Sequence, residues 1–227
     1  MKMGLISDVH GNYEALKAVL SKLDGMGINE VYCMGDVVGY YSQVNEVCEE
    51  LISREVRCVM GNHDWYMASD TLCPRSRSVN DCLAYQRKVI TEKNLDWLKS
   101  FPTQRQVENI RIVHGGWLDP IDEYLEPTGE YFAGVDGEVF ISGHTHVQTL
   151  KIFPGKTYCN PGSVGQPRDN DPRAAFAVYD NGMISLHRVE YDMQRVFELM
   201  QKAGFNDYYY GCLKTGAKNL CRLEPDA

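Results

Sequence analysis

The stretch Val139-Phe140-Ile141-Ser142-Gly143-His144-Thr145-His146 places two histidines directly after a short apolar run. The run is typical of a buried strand, and the glycine indicates the loop in which the strand ends. Extended residues two apart point to the same side, so both imidazoles can reach one cavity. A metal ion is the natural occupant, although a histidine pair in a loop is more often solvated or hydrogen-bonded than ligating.

Four further loops carry ligand-type side chains after a β-like run. They are Asp8-Val9-His10, Gly35-Asp36, Gly61-Asn62-His63-Asp64 and His114-Gly115. Ligands of α/β sheets bind beyond the carboxyl ends of the strands, so we expect the five loops to converge on one site.

Apolar spacing after the first two loops predicts helices, which gives a strand, loop and helix order. The segment after Asp64, to about residue 78, has no regular pattern. The second half is predicted to be rich in strands, with a turn at Asn109. Predicted helix caps are Ser42, Ser78, Thr91, Thr128, Asp192 and Asn206.

The composition of the 227 residues is that of an ordinary globular protein with a net charge of −8. This charge argues against bulk attraction to nucleic acid or to an anionic membrane, so an anionic substrate must be attracted locally. No signal peptide or membrane span is predicted, which favours a cytoplasmic protein. The eight cysteines include no Cys-x-x-Cys pair, and we interpret them as reduced, mostly buried thiols.

We predict one domain over residues 1–227, with a helical C-terminal appendage over residues 191–227. The tyrosines at 208, 209 and 210 fit either a helix face packed on the core or an exposed contact surface, and packing is the commoner case.

The collected loop residues mix imidazole, carboxylate and carboxamide groups, which suits manganese, iron, zinc or nickel, with manganese favoured. Eight side chains exceed what one ion can use. Two ions about 3.5–4 Å apart that share a carboxylate would use them, and such pairs promote displacement at phosphorus.

The five motifs, in this order, resemble the calcineurin-like metallophosphoesterases. The segment 160–168, Asn-Pro-Gly-Ser-Val-Gly-Gln-Pro-Arg, resembles the small prokaryotic phosphodiesterase branch of that superfamily. The resemblance implies an α/β fold with four αββα layers, in which helices enclose two mixed β-sheets.

The resemblance also implies the roles of individual residues. One metal would be held by Asp8, His10, Asp36 and His146, and a second by Asp36, Asn62, His114 and His144. A hydroxide bridging the ions would attack phosphorus in line. His63 would contact the phosphoryl group and protonate the leaving oxygen. Asp64 is expected to be structural.

Phosphoprotein phosphatases of this superfamily carry an aspartate and an arginine where this chain has Gly39 and Tyr40. Their absence argues against a protein phosphatase and favours phosphodiesters, whose single negative charge needs fewer cations. Arg168 is the nearby candidate for substrate binding. Alternatively, it is a surface arginine paired with Asp169 or Asp171.

A small phosphate-ester substrate is therefore expected, and stable nucleic-acid or membrane binding is not. Cyclic nucleotides, dinucleotides and nucleic-acid ends all fit, and a phosphomonoesterase, nucleotidase or dinucleoside polyphosphate hydrolase would use the same residues. A catalytically silent scaffold is the alternative of another class, although every ligand position is filled here. A redox or zinc protein that uses the cysteines lacks the required spacing.

Overall fold

Two five-stranded mixed sheets form the centre of the structure, a computed structural model that describes residues 1–217. The strands are β1 (Lys2–Ile6), β2 (Val31–Cys33), β3 (Arg57–Cys58), β4 (Gln104–Val107), β5 (Ile110–Val113), β6 (Val139–Ile141), β7 (Thr149–Phe153), β8 (Lys156–Asn160), β9 (Ala174–Asp180) and β10 (Met183–Val189). The α-helices are α1 (Tyr13–Gly25), α2 (Val44–Ser53), α3 (Asn62–Ala68), α4 (Arg77–Val89), α5 (Glu92–Lys99), α6 (Gly129–Ala133) and α7 (Met193–Lys202).

Each sheet has a parallel centre and at least one antiparallel edge. The first sheet has the order β10-β9-β1-β2-β3, in which β1, β2 and β3 run parallel. The second has the order β4-β5-β6-β8-β7, in which β5, β6 and β8 run parallel. The carboxyl ends of β1, β2, β3, β5 and β6 therefore lead into the five loops identified in the sequence.

The two sheets pack face to face because alternate side chains of each strand point to opposite sides. Met3 and Leu5 of β1 contribute to the apolar core between the sheets, as do Ile110 and Ile112 of β5. Ile6 faces the other way and packs in the cluster that includes the buried side of α1 and α2.

The outer face of the second sheet is covered by a much thinner layer. Phe132 of the five-residue helix α6 packs there against Phe140 and Tyr158. The structure thus confirms the predicted fold class, two mixed sheets between helical layers.

Several local predictions are confirmed. The side chains of Thr91, Thr128, Asp192 and Asn206 each accept a hydrogen bond from a main-chain N–H at the start of a helix, which for Asn206 is a 3-10 helix over Asp207–Tyr209. Tyr210 is buried in a small core with α7, and Tyr209 donates a hydrogen bond to Asp81, which favours the packing interpretation.

Other local predictions are wrong. Helix α2 begins after Gln43 rather than Ser42, and α4 is capped by Ser76, which accepts from the Val79 N–H, rather than by Ser78. Helix α3 occupies part of the segment thought to be irregular. The six cysteines at 33, 48, 58, 73, 82 and 159 are free and buried, but Cys212 is disulfide-bonded.

The single-domain boundary stays a prediction, and residues 218–227 of the C-terminal appendage lie outside the described part of the chain. Among the helices of residues 1–217, none combines the length and the apolar character needed to cross a membrane.

Candidate metal centre

The five loops meet where the two sheets come together. Their ligand-type side chains form two buried groups, in each of which the ligand atoms lie within 4.8 Å of one another. The first group is Asp8, His10, Asp36 and His146, and the second is Asp36, His114 and His144. Asp36 belongs to both. Asn62 adjoins the second group, with its Oδ1 3.1 Å from His114 Nε2.

Main-chain oxygens fix the tautomer of three of these histidines. The Nδ1 atoms of His10, His114 and His146 lie 2.9, 2.6 and 2.5 Å from the carbonyl oxygens of Val38, Met34 and Gln166, respectively. Because a carbonyl oxygen can only accept, each Nδ1 carries a hydrogen. In the neutral rings the lone pair is therefore on Nε2, the atom directed into the cluster.

The Nε2 atoms of His10 and His114 face acceptor atoms of neighbouring side chains, at distances that suit a shared proton or cation. His10 Nε2 lies 3.1 Å from His146 Nε2, and His114 Nε2 lies 3.1 Å from both His144 Nδ1 and Asn62 Oδ1. Buried acceptors do not face one another without a proton or a cation between them. Asp8 Oδ1 is also buried without a hydrogen-bond partner. This donor set fits divalent metal ions.

His144 presents its ring in the reverse orientation. Its Nδ1 faces the cluster, while its Nε2 lies 3.6 Å from Asp122 Oδ1. This Nε2 is buried without a hydrogen-bond partner, so Nδ1 is the ring atom that can ligate an ion in the cluster. Burial, and after it the charge of His114, lower the pKa of His144 to about 2, so its ring is neutral.

Protonation of the other rings follows from burial and from Asp36. Burial lowers the pKa values of His10 and His146 well below their usual range. Burial, the largest single influence, lowers the pKa of His114, but the charge of Asp36, the hydrogen bond to it and the charge of Asp8 together raise the pKa to about 10. The pKa of Asp36 is correspondingly low despite burial, chiefly through His114. Without an ion, His114 and Asp36 therefore form a charged pair.

Five of the clustered residues have left-handed backbone conformations. The φ angles of Asp8, His10, Asp36, His144 and His146 are 54°, 55°, 55°, 66° and 59°. The left-handed region costs an L-residue roughly 1–2 kcal/mol, and such strain concentrates at functional sites. The tight packing of the loops keeps these side chains directed into the cluster.

Gly61 allows two loops to approach each other closely. A Cβ atom at this position would lie 2.2 Å from Asp36 Oδ1 and 2.4 Å from the Asp36 main-chain nitrogen. The next turn adds a hydrogen bond of 2.8 Å from the His63 N–H to Asp36 Oδ1.

Asp64 supports the Asp36 loop through main-chain hydrogen bonds. Its carboxylate accepts from the N–H groups of Asp36, Val37, Val38 and Gly61 at 2.8, 2.9, 3.2 and 3.1 Å. Burial, and then the charge of Asp36, raise the pKa of Asp64 to about 7. These contacts agree with the structural role predicted for Asp64.

His63 lies beside the two groups. Its Nε2 is 3.9 Å from Asp36 Oδ2, and its ring packs on that of Tyr40 with centroids 5.0 Å apart. Its Nδ1 has no hydrogen-bond partner and faces Gly39, where a Cβ atom would be 2.3 Å away. Burial lowers the pKa of His63.

A cavity of about 670 Å³ opens on the centre and is lined by Asp36, Asn62, His63, His144 and His146. Arg168 also lines it and donates hydrogen bonds to Tyr40 Oη at 2.9 Å and to Gln166 Oε1 at 3.0 Å.

Arg168 is therefore not the surface arginine of the alternative interpretation. Asp169 pairs with Arg188, and Asp171 pairs with Arg173.

Sequence reasoning missed two further arginines in the cavity wall, Arg75 and Arg77. Arg75 forms a bidentate ion pair with Asp122, the residue behind His144. The only signal in the sequence was the run Arg75-Ser76-Arg77-Ser78 within the segment that showed no regular pattern.

Comparison with known proteins agrees with this geometry. The profile of the calcineurin-like phosphoesterase superfamily domain matches residues 1–182. The uncharacterized protein MJ0912 of Methanocaldococcus jannaschii is 34% identical, over 88% of this chain and 92% of that protein.

Two solved structures align with this chain over 96% of its residues and over 99% of the residues of their own chains. A metallophosphoesterase from Sphaerobacter thermophilus has a TM-score of 0.82 at 29% identity. The hypothetical protein PH1004 from Pyrococcus horikoshii OT3 has a TM-score of 0.83 at 19% identity, which shows the shared fold. With the profile matching most of its length, the chain belongs to the calcineurin-like phosphoesterase superfamily.

Proposed function

We propose that the protein is a dinuclear metal-dependent phosphodiesterase. Membership of the superfamily supports a phosphoric ester hydrolase. The observation that carries the finer proposal is the pair of buried ligand groups that share Asp36. When bound, two divalent ions would supply an activated water and positive charge at the phosphoryl group.

We propose that the side chains would divide between the two ions as the resemblance implies. Asp8, His10 and His146 would complete the first site, and Asn62, His114 and His144 the second, with Asp36 shared. The nitrogen and oxygen donors suit manganese, iron, zinc or nickel, and of these we favour manganese. A cytoplasmic location stays a prediction.

His63 is proposed as the residue that protonates the leaving oxygen. Its Nε2 is the ring nitrogen close to Asp36, and its main-chain N–H donates a hydrogen bond to the same carboxylate. Burial keeps the free ring neutral, but a bound phosphate ester brings negative charge that favours the imidazolium. The proton would thus be present at Nε2 when substrate is bound.

Arg168 is proposed to bind a phosphoryl oxygen. Its contact with Tyr40, which packs on His63, places this guanidinium near the centre. Arg75 is neutralised by Asp122. A diester carries one negative charge, so the ions, His63 and one guanidinium suffice to hold it.

The test compares bis-(para-nitrophenyl) phosphate with para-nitrophenyl phosphate at the same manganese loading. We expect a higher kcat/KM for the diester and two metal ions per chain. A tenfold preference for the monoester, about 1.4 kcal/mol in the transition state, would contradict the proposal and favour a nucleotidase or other phosphomonoesterase. Bound metal with no turnover on any phosphate ester would instead favour a silent scaffold.

A further inference from the structure

The cavity is much larger than a single phosphoryl group requires. Its volume of about 670 Å³ lies within the range of sites that take whole small molecules. Besides the metal-centre residues and several single residues, it is lined by one continuous segment, Arg75-Ser76-Arg77-Ser78-Val79, which leads into helix α4. This segment therefore faces the part of a substrate that extends away from the reacting phosphorus.

The lining of the cavity has the opposite charge to the protein as a whole. Three guanidinium groups, those of Arg75, Arg77 and Arg168, line it, and among residues 1–217 Asp36 is the only acidic residue that does so. The whole chain has a net charge of −8. Positive charge is thus concentrated where an anionic substrate would enter.

The three arginines differ in what else they contact. Arg168 is held at Tyr40 and Gln166, and Arg75 is held by Asp122. Arg77 is exposed and makes no ion pair or side-chain hydrogen bond within residues 1–217. Its guanidinium is free to bind an anion without breaking an existing contact.

Hydroxyl groups accompany Arg77 in the same wall. The Oγ atoms of Ser76 and Ser78 lie 3.0 Å apart, and both residues line the cavity. A guanidinium with neighbouring hydroxyls offers several donors, which suits the oxygens of a phosphoryl group. The first residues of the thirteen-residue helix α4 lie in the same wall, so the partial positive charge of the helix N-terminus adds to that of Arg77.

We propose that Arg77, with Ser76 and Ser78, forms a second anion subsite in this cavity. The substrate would then be a phosphate ester whose organic part carries a second phosphoryl group, such as a terminally phosphorylated oligonucleotide. This inference rests on the proposed phosphodiesterase function. It adds that the second phosphoryl group is recognised by the chain itself and not by the ions.

The experiment uses thymidylyl-(3′,5′)-thymidine and the same dinucleotide with a phosphate at its 5′ or its 3′ end. Turnover is measured with the manganese-loaded wild type, with Arg77→Gln and with Arg195→Gln. Arg195 is an exposed arginine of α7 that pairs with Glu198 and does not line the cavity, so it is the matched control. Arg75 is unsuitable for the test, because its replacement would free Asp122 beside His144.

We expect the wild type to prefer one of the phosphorylated dinucleotides by about tenfold in kcat/KM, mainly through KM. Arg77→Gln should lose this preference and keep its rate on the unphosphorylated diester, whereas Arg195→Gln should keep both. The preference should shrink as salt is added, because Arg77 is exposed. No preference in the wild type, or the same preference in Arg77→Gln, would overturn the inference and leave the phosphodiesterase proposal standing.

If no dinucleotide is hydrolysed, the proposed function fails for this substrate class, and binding decides the subsite separately. Titration calorimetry would then compare the phosphorylated and unphosphorylated dinucleotides with each variant. Binding of the phosphorylated form about tenfold weaker to Arg77→Gln than to the wild type supports the subsite. Equal affinities would rule it out.

Discussion

Replacing Gly61 by alanine should disrupt the metal centre without changing any proposed ligand. The new Cβ atom would lie 2.2 Å from Asp36 Oδ1 and 2.4 Å from the Asp36 main-chain nitrogen. Carbon atoms do not approach these atoms closer than about 3 Å, so the loops must separate by roughly 0.6–0.8 Å. Forcing extra carbon into a packed site typically costs about 1–3 kcal/mol.

The functional loss should exceed the loss of stability. Asp36 is shared by both ligand groups, and the same shift disturbs its hydrogen bond with the His63 N–H. Misplacement of about 1 Å can reduce turnover on the order of 10²-fold. We therefore expect Gly61→Ala to bind manganese weakly and to lose about 99% of its turnover.

The matched control is Gly25→Ala at the end of helix α1, where an added Cβ atom meets nothing within 4 Å. Alanine is the better helix former, so the free energy of unfolding of this variant should rise by about 0.5–1 kcal/mol. It should unfold at a slightly higher temperature and keep its activity. Manganese titration calorimetry, thermal unfolding of the metal-free proteins and turnover of bis-(para-nitrophenyl) phosphate are measured for both. Two manganese ions bound with wild-type affinity and full turnover in Gly61→Ala would refute the reasoning.

Three further predictions concern the centre. Chelation of the ions should abolish turnover. Asp36→Asn should cost more activity than His10→Asn, because only Asp36 belongs to both ligand groups. Full activity with one ion per chain would contradict this prediction. His63→Asn should keep both ions and lose about 10²- to 10⁴-fold in kcat. The loss should be larger for substrates with poor leaving groups than for activated substrates. An equal loss for all leaving groups would count against His63 as the proton donor. The pKa of His114, raised to about 10 in the metal-free protein, keeps its ring protonated at pH 7–8. Metal binding should therefore release the His114 proton, in addition to any proton from a metal-bound water, and should strengthen as pH rises toward 10. Calorimetry in buffers of different ionisation enthalpy measures the proton count, and no release at pH 8 would contradict the charged pair of His114 and Asp36.

The sequence was sufficient to predict the strand ends and the residues they bring together. The reason is local: each short apolar run is followed directly by the ligand-type side chains, and parallel strands end at one edge. The resemblance supplied the division into two groups, and the structure contains both sets of contacts. The roles of His63 and Arg168 stay predictions.

The cavity wall could not be predicted in the same way. Helix α3 has seven residues, and Asn62, His63 and Asp64 on its first turn are buried, so its sequence lacks an apolar stripe. The position of Arg77 depends on how α4 packs against α2, which no local pattern encodes. Asp122 likewise lies on the loop after β5, which is held by hydrogen bonds from the His114 and Gly115 N–H groups to the Pro120 oxygen.

The left-handed backbone of the centre also has a consequence for adaptation to heat. At Asp8, His10, Asp36, His144 and His146, glycine would adopt the same φ without steric cost, and asparagine would do so with little cost. Relief of this strain is worth about 1–2 kcal/mol, but glycine loses about 0.5–1 kcal/mol more chain entropy on folding. It also removes a buried side chain that is hydrogen-bonded, as Asp36 is to the His63 N–H. Glycine at these five positions would therefore not make the protein more resistant to heat, and a gain in thermal stability has to come from other parts of the chain.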